Sequence, residues 1–283
     1  MWLTRTWTRT SKGPLTLLSS LLQKCRNERL LNGLQESKSG PKVTHLFFAN
    51  DSILFAKANA NESEIIRYVL SRYEESSGHC INFPKSALVF NANTKDRSKE
   101  EIKEVLGIGA ITNLEKYLSL PSMVGREQRK AFREVKDRMH NQLTERNCQM
   151  LSQGGKEAFL KSKVQAIPTY TMGCFLLLRT LCVELNCIIS NFWWRQNNDK
   201  RGIHWISWKQ MYTPKKEGRL GFRDMEKFIK VILAKQGWKL LTNPTTLLYG
   251  IFKAKYFSRT SFLEAKLGSN PSLTLRSIWR TGH

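Results

Sequence analysis

The segment that most restricts the fold is His45-Leu46-Phe47-Phe48-Ala49-Asn50-Asp51-Ser52-Ile53-Leu54-Phe55. Two apolar arms, residues 46–49 and 53–55, stand on either side of the polar Asn50-Asp51 pair. Arms of this length joined by Asn-Asp read as a β-hairpin, because Asn and Asp tolerate the positive φ that tight two-residue turns require. A lone hairpin is marginal in water, so the rest of the chain must supply cover for it.

Helical patterns lie on both sides of the hairpin. Leucines at 15, 17, 18, 21, 22 and 30 recur near helical spacing, opened by Gly13-Pro14 and closed by Asn32-Gly33. Asn61-Glu62-Ser63-Glu64 opens a second helix with early acids, Ile65, Ile66, Val69, Leu70 and Tyr73 supply its buried face, and Ser76-Ser77-Gly78 ends it. Residues 81–83 and 87–90 read as short strands around Pro84-Lys85, followed by a charged helix over 98–106 and a short strand over 117–121. After Gly125 the texture changes: 126–143 and 156–165 are charged helical stretches, and 225–241 is a further helix. The pattern predicts an α+β chain, mixed in its N-terminal part and helical beyond it.

Charge restricts function. Lys and Arg number 46 against 23 Asp and Glu, a net charge of +23 and a pI near 10.0. Such a surface attracts polyanions, with nucleic acid ahead of an anionic membrane surface, because neutralising phosphates releases counterions. The longest apolar run, 172–178, is too short to span a bilayer. Six cysteines at 25, 80, 148, 174, 182 and 187 show no CxxC pair and no nearby histidine ladder, so they read as reduced, buried thiols rather than a zinc site. The first acid of the chain is Glu28, and the preceding segment, rich in Arg, Ser and Thr, reads either as an organellar transit peptide or as the lead-in to the first helix. A nuclear or cytoplasmic location is the expectation, with organellar import as the alternative.

The hairpin and the segments after it carry a family resemblance. His45 to Phe55 resembles the palm hairpin of plant non-LTR (LINE-type) retrotransposon reverse transcriptases, whose pattern reads His-Leu-Phe-Phe-Ala-Asp-Asp-Ser-Leu-Leu-Phe. Ser77-Gly78-His79-Cys80-Ile81-Asn82-Phe83-Pro84-Lys85-Ser86 is similar to the family's next strand-turn motif, and the segment from Tyr117 to Gly125 to its primer grip. Leu151-Ser152-Gln153-Gly154-Gly155-Lys156-Glu157, Gln165-Ala166-Ile167-Pro168-Thr169-Tyr170, Phe192-Trp193-Trp194, Pro214-Lys215-Lys216-Glu217-Gly218 and Leu233-Ala234-Lys235-Gln236-Gly237-Trp238 resemble its thumb and connector, in order. The resemblance implies a partial polymerase palm (a β-hairpin plus helices) over 1–122, a helical thumb over 123–200 and a basic, aromatic-rich helical connector over 201–283. It implies an ancestral activity that copies an RNA template from a DNA primer, with Mg2+ as cofactor.

In that family, paired hairpin aspartates and a third carboxylate on a separate palm strand hold two magnesium ions. Here Asn50 replaces the first aspartate of the pair, leaving Asp51 as the metal ligand of the hairpin. An amide oxygen is neutral, so the site loses attraction for each cation, and Mg2+ is not expected to bind productively. Lys85 aligns with a lysine that assists the leaving pyrophosphate, or it is a solvated strand-end charge. The family's fingers, first-aspartate strand and nucleotide-pocket segment precede the helix near Leu15, so the palm is expected to be truncated and its hairpin to present an unpaired edge. Ser119 and Arg219 stand for family glycines and Arg146 for a family tryptophan.

The basic helices offer a second role. Arg126, Arg129, Lys130 and Arg133 crowd one, and Lys156, Lys161 and Lys163 lie on or beside another, suited to duplex phosphates or merely forming solvated faces. Trp193, Trp194, Trp205 and Trp208 read as base-stacking platforms or as core. The function implied is a catalytically inactive remnant of an RNA-directed DNA polymerase, and the alternative is a non-catalytic, basic nucleic-acid-binding protein.

Overall fold

The computed structural model describes residues 2–8, 15–48, 51–109, 116–117, 120–121, 132–144, 151–195, 202–268 and 270–282. The fold is α+β and divides into two compact units, Met1–Glu115 with Lys253–Lys255, and Lys116–Phe252 with Tyr256–His283.

The first unit is built on a five-stranded sheet whose middle is the N-terminal strand β1 (Trp2–Thr8). Helix α1 (Leu15–Asn27), the small pair β2 (Leu34–Gln35) and β3 (Lys42–Val43), and the hairpin strands β4 (His45–Phe48) and β5 (Asp51–Phe55) follow. Next come α2 (Ala60–Ser77), β6 (Cys80–Ile81), a 3-10 turn over Phe83–Lys85, β7 (Ala87–Val89) and α3 (Asp96–Leu106). β1 runs antiparallel to β5 from Trp2 opposite Phe55 to Thr6 opposite Asp51. On its other side it pairs with β7 over Trp2–Thr4 and with β6 over Trp7–Thr8.

One expectation is corrected here. The acid-free N-terminus holds a strand at residues 2–8, where the lead-in to the first helix was expected, and that strand pairs with β5, so the hairpin is unpaired on one side only. The physical reason is visible in Trp-Leu-Thr-Arg-Thr-Trp-Thr, dense in the β-branched and aromatic residues that favour a pleated strand. The edge falls to β4.

Helices α1, α2 and α3 cover one face of this sheet. Leu18 and Leu22 of α1, Ile66, Leu70 and Tyr73 of α2 and Ile102 of α3 form one buried cluster with Leu54 of β5 and Leu88 of β7. The i, i+3, i+4, i+7 spacing of Ile66, Val69, Leu70 and Tyr73 is the apolar stripe read from the sequence. Asn59 caps α2, its side chain accepting the Glu62 N–H at 2.8 Å, and Gly78 ends it at φ 67°, a left-handed position that suits glycine. The Glu62 carboxylate, 3% exposed, accepts from Asn32 Nδ2 at 2.7 Å and from the Lys57 N–H at 3.0 Å, so a buried acid is satisfied by donors on both sides.

The second unit opens with β8 (Lys116–Tyr117) and β9 (Leu120–Pro121), an antiparallel pair where a single strand was expected. Tyr117 pairs with Leu120, so only two positions separate the strands, and the stretch turns back on itself. Helices α4 (Arg133–Thr144), α5 (Gln153–Ser162), α6 (Thr169–Met172), α7 (Arg179–Trp194), α8 (Met225–Thr242), α9 (Leu247–Tyr256) and α10 (Leu273–Gly282) follow. Met139, Leu160, Met172, Leu185, Met225 and Leu233, each fully shielded from solvent, belong to one core. The stretches expected as thumb and connector both feed it: Trp193 meets Phe222 edge-on at 5.3 Å, and Ser277 Oγ accepts the Leu176 N–H at 2.9 Å. Among the described residues no helix is long and apolar enough to cross a membrane.

Candidate functional site

His45 anchors the hairpin. Its Nε2 lies 2.9 Å from Ser19 Oγ on α1 and its Nδ1 3.0 Å from Thr44 Oγ1. Burial, and then the Arg26 charge, hold its pKa below the usual imidazole value. The register pairs Phe48 with Asp51, so positions 49 and 50, outside the described residues, are what separate the strands. Asp51 is therefore the first residue of β5 and not part of the turn, a correction to the Asn50-Asp51 turn reading; its pairing with Thr6 of β1 carries the strand one residue further.

Residues opposite one another in antiparallel strands share a face. The half-buried Asp51 is flanked in register by Phe48 and Thr6, and residues 2–8 contain no acid. Among the described residues no group of three or more His, Cys, Asp or Glu side chains is placed to hold a metal ion. A two-metal phosphoryl-transfer centre needs several anionic oxygens converging on both cations, and this donor set does not fit one.

Lys85 ends the 3-10 turn that interrupts β6 and β7, and its side chain is exposed. The turn occupies the gap in pairing opposite Arg5 and Thr6 on the far side of β1 from Asp51. Two strand spacings thus separate the backbones of Asp51 and Lys85, about 10 Å.

The basic helices divide sharply. Arg126, Arg129 and Lys130 lie outside the described residues, while Arg133 is exposed at the start of α4. Lys156, expected on a phosphate-facing surface, is only 8% exposed, and its Nζ donates to the Arg195 carbonyl at 2.7 Å. The reason is helical register. α5 starts at Gln153, with Ser152 accepting the Gly155 N–H as its cap, so Lys156 falls four residues before Leu160 on the inward stripe. Burial, and then the Arg195 charge, pull the Lys156 pKa down.

Lys161 donates to Glu157 Oε1 at 2.8 Å and to the Leu220 carbonyl, and lies 5.5 Å from the Phe222 ring. Glu157 also takes Lys215 at 2.7 Å, and these two lysines hold its carboxyl below the usual range. Lys163, at the end of α5, is exposed, its ammonium 5.9 Å from the Phe159 ring centroid.

The four tryptophans sort by depth. Trp193 is 7% exposed in the core, and Trp208 stacks on Phe222 at 4.9 Å between ring centroids. Trp194 stacks on His204 at 5.9 Å, and Trp205 is 75% exposed. Trp194 and Trp205 line a cavity of about 470 Å³ with Leu151, Gln153, Lys156, Arg195 and Ile203. The start of α5, the end of α7 and the segment after residue 202 therefore converge there. Gly202 makes the convergence possible: the Trp194 carbonyl oxygen occupies the place a Cβ at 202 would need. Sequence reading marked Trp194, Trp205 and Lys156 but not Gln153, Arg195 or Ile203, whose proximity no local spacing announces.

No protein-family model matches the chain. A stretch of 137 residues is 26% identical to the Arabidopsis thaliana protein named "Putative ribonuclease H protein At1g65750", covering 48% of this chain and 22% of that longer protein. A stretch of 114 residues, 40% of the chain, is 39% identical to the "Uncharacterized mitochondrial protein AtMg00310" of the same plant and covers 74% of it. On that identity and coverage, the chain belongs to the family of the Arabidopsis thaliana uncharacterized mitochondrial protein AtMg00310.

Proposed function

We propose that this chain derives from the RNA-directed DNA polymerase of a plant non-LTR retroelement, has no polymerase activity of its own, and retains the capacity to bind nucleic acid. The observation that carries the loss of activity is the sheet around Asp51. A palm that binds two cations needs a carboxylate on the strand beside the hairpin, and the strand in that place, β1, sets Thr6 opposite Asp51 and has no acid along its length. The ordered motifs of the sequence support the ancestry, and the net charge of +23 supports binding to a polyanion. The relative named for ribonuclease H fits a nucleic-acid setting, but the chain spans 22% of it, and no hydrolytic acid cluster occurs among the described residues.

Primer extension tests the catalytic half of the proposal. Purified chain with a primed RNA template, deoxynucleotides and magnesium is expected to incorporate nothing. Asn50→Asp is expected not to restore synthesis, because one further carboxylate on the hairpin leaves the neighbouring strand without an acid. Templated extension by either protein overturns the reading.

A further inference from the structure

The cavity between the start of α5 and the end of α7 has a chemistry that duplex binding does not use. Trp205 is 75% exposed at its wall and stacks on no other ring among the described residues. A large, exposed indole beside a concavity is an unused π-face. Its surroundings are cationic, with Arg195 and Lys156 in the lining and no acid among the lining residues. The start of α5 contributes Gln153, and the N-terminus of that ten-residue helix adds a partial positive charge facing anions. At 470 Å³ the cavity lies in the roughly 300–1,000 Å³ range of small-molecule sites, room for one nucleotide and not for a double helix.

We propose that this cavity takes a single unpaired nucleobase of an RNA or DNA strand. The base stacks on Trp205, Gln153 meets its polar edge, and the adjoining phosphate lies toward Arg195 and the start of α5. Lys156 is a positioning residue: its ammonium bonds the Arg195 carbonyl and fixes the end of α7 against the start of α5. The proposal rests on the nucleic-acid-binding part of the function proposed above and deepens it, since it names an unpaired base where the basic helices take phosphates of either form. A stacking platform accepts any base, so little sequence preference is expected.

The test compares two probes on the full chain by fluorescence anisotropy, a labelled twelve-nucleotide oligothymidylate and a labelled blunt duplex of the same length. Trp205→Ala should weaken single-strand binding about tenfold, roughly 1.4 kcal/mol, while changing duplex affinity less than about twofold. Trp205→Phe should restore most of the single-strand affinity, and circular dichroism melting should be the same for all three proteins because the indole is outside the core. If the wild type binds both probes and Trp205→Ala leaves single-strand affinity unchanged, the base site is overturned and the proposed nucleic-acid role stands. If the wild type binds neither probe at low salt, both fall. If Trp205→Ala dissociates a self-associated species in sedimentation while oligothymidylate affinity holds, the indole is a protein contact and the base site is likewise overturned.

Discussion

Side chains of one type meet opposite fates in this chain, and cysteine shows it most directly. Cys80 and Cys187 are exposed, whereas Cys182 is 2% exposed and its thiol pKa is pushed up to about 11 by burial first and then by Glu226 and Asp224. Thiolate is the reactive form, so iodoacetamide at pH 8 should modify Cys80 and Cys187 in the native protein and leave Cys182 until urea is added, as read by peptide mass spectrometry. Equal labelling of all three in the native state would contradict the burial of Cys182 on the inner face of α7. The same thiol gives a pH dependence. In the unfolded chain it ionises near its ordinary value of 9.0, and in the folded protein it holds its proton to about 11. The folded state then binds more protons between those values, so this contribution to stability is complete below pH 9 and fades as pH rises from 9 to 11. Urea titrations of wild type and Cys182→Ala should diverge across that window and run parallel below it. The sequence reading expected buried thiols, and Cys80 and Cys187 correct it by lying exposed, just as Lys156 was read as a cation but not as an inward-facing one. Depth at such positions is decided by where a helix starts, and a one-residue change in the start of α5 would rotate Lys156 by about 100°.

Secondary-structure elements were legible where hydrophobic period and end signals agreed. α2 follows the sequence reading in its stripe from Ile66 to Tyr73 and its Gly78 end, with its cap at Asn59 rather than at the expected Asn61, and α8 begins at the predicted Met225. α7 is the counterexample. Leu181, Leu185, Ile189, Phe192 and Trp193 lie within one stripe about 120° wide, a helical period that the sequence reading left unclaimed. β1 was missed for another reason: threonine-rich alternation matches a strand and a basic leader sequence alike, and only the partners distinguish them. Thr4 stands opposite Ile53 on one side and Ala87 on the other. Thr4→Pro removes the strand's N–H there and should cost on the order of 3 kcal/mol, enough to open the first unit. Hydrogen exchange should then accelerate at residues 51–55 and 87–89 while the core helices α7 and α8 keep their protection. Unchanged exchange in β5 would mean that β1 does not hold the sheet.

At the scale of the whole chain, charge governs what the protein can meet. Internal pairs consume part of it, as where Glu157 takes both Lys161 and Lys215 and Lys136 Nζ reaches Glu184 at 2.7 Å, yet a net +23 remains. Duplex affinity should therefore fall with salt along a log–log slope of roughly −3 or steeper, the signature of about three or more released phosphate counterions. A flat dependence between 50 and 200 mM would show that charge is not the means of binding. Composition alone supplied this property, whereas the cavity at Trp205 needed segments dozens of positions apart to be brought together, which no stretch of sequence displays by itself.

The central place of β1 also sets an order of events at the ribosome. Residues 2–8 are made before their partners: Trp2 pairs with Phe55 and Val89, so at about 5–20 residues per second its backbone groups wait roughly 4 to 17 seconds for the second neighbour. Until then the future centre of the sheet is a single strand with both rows of backbone N–H and C=O groups open, the condition that invites pairing with another chain.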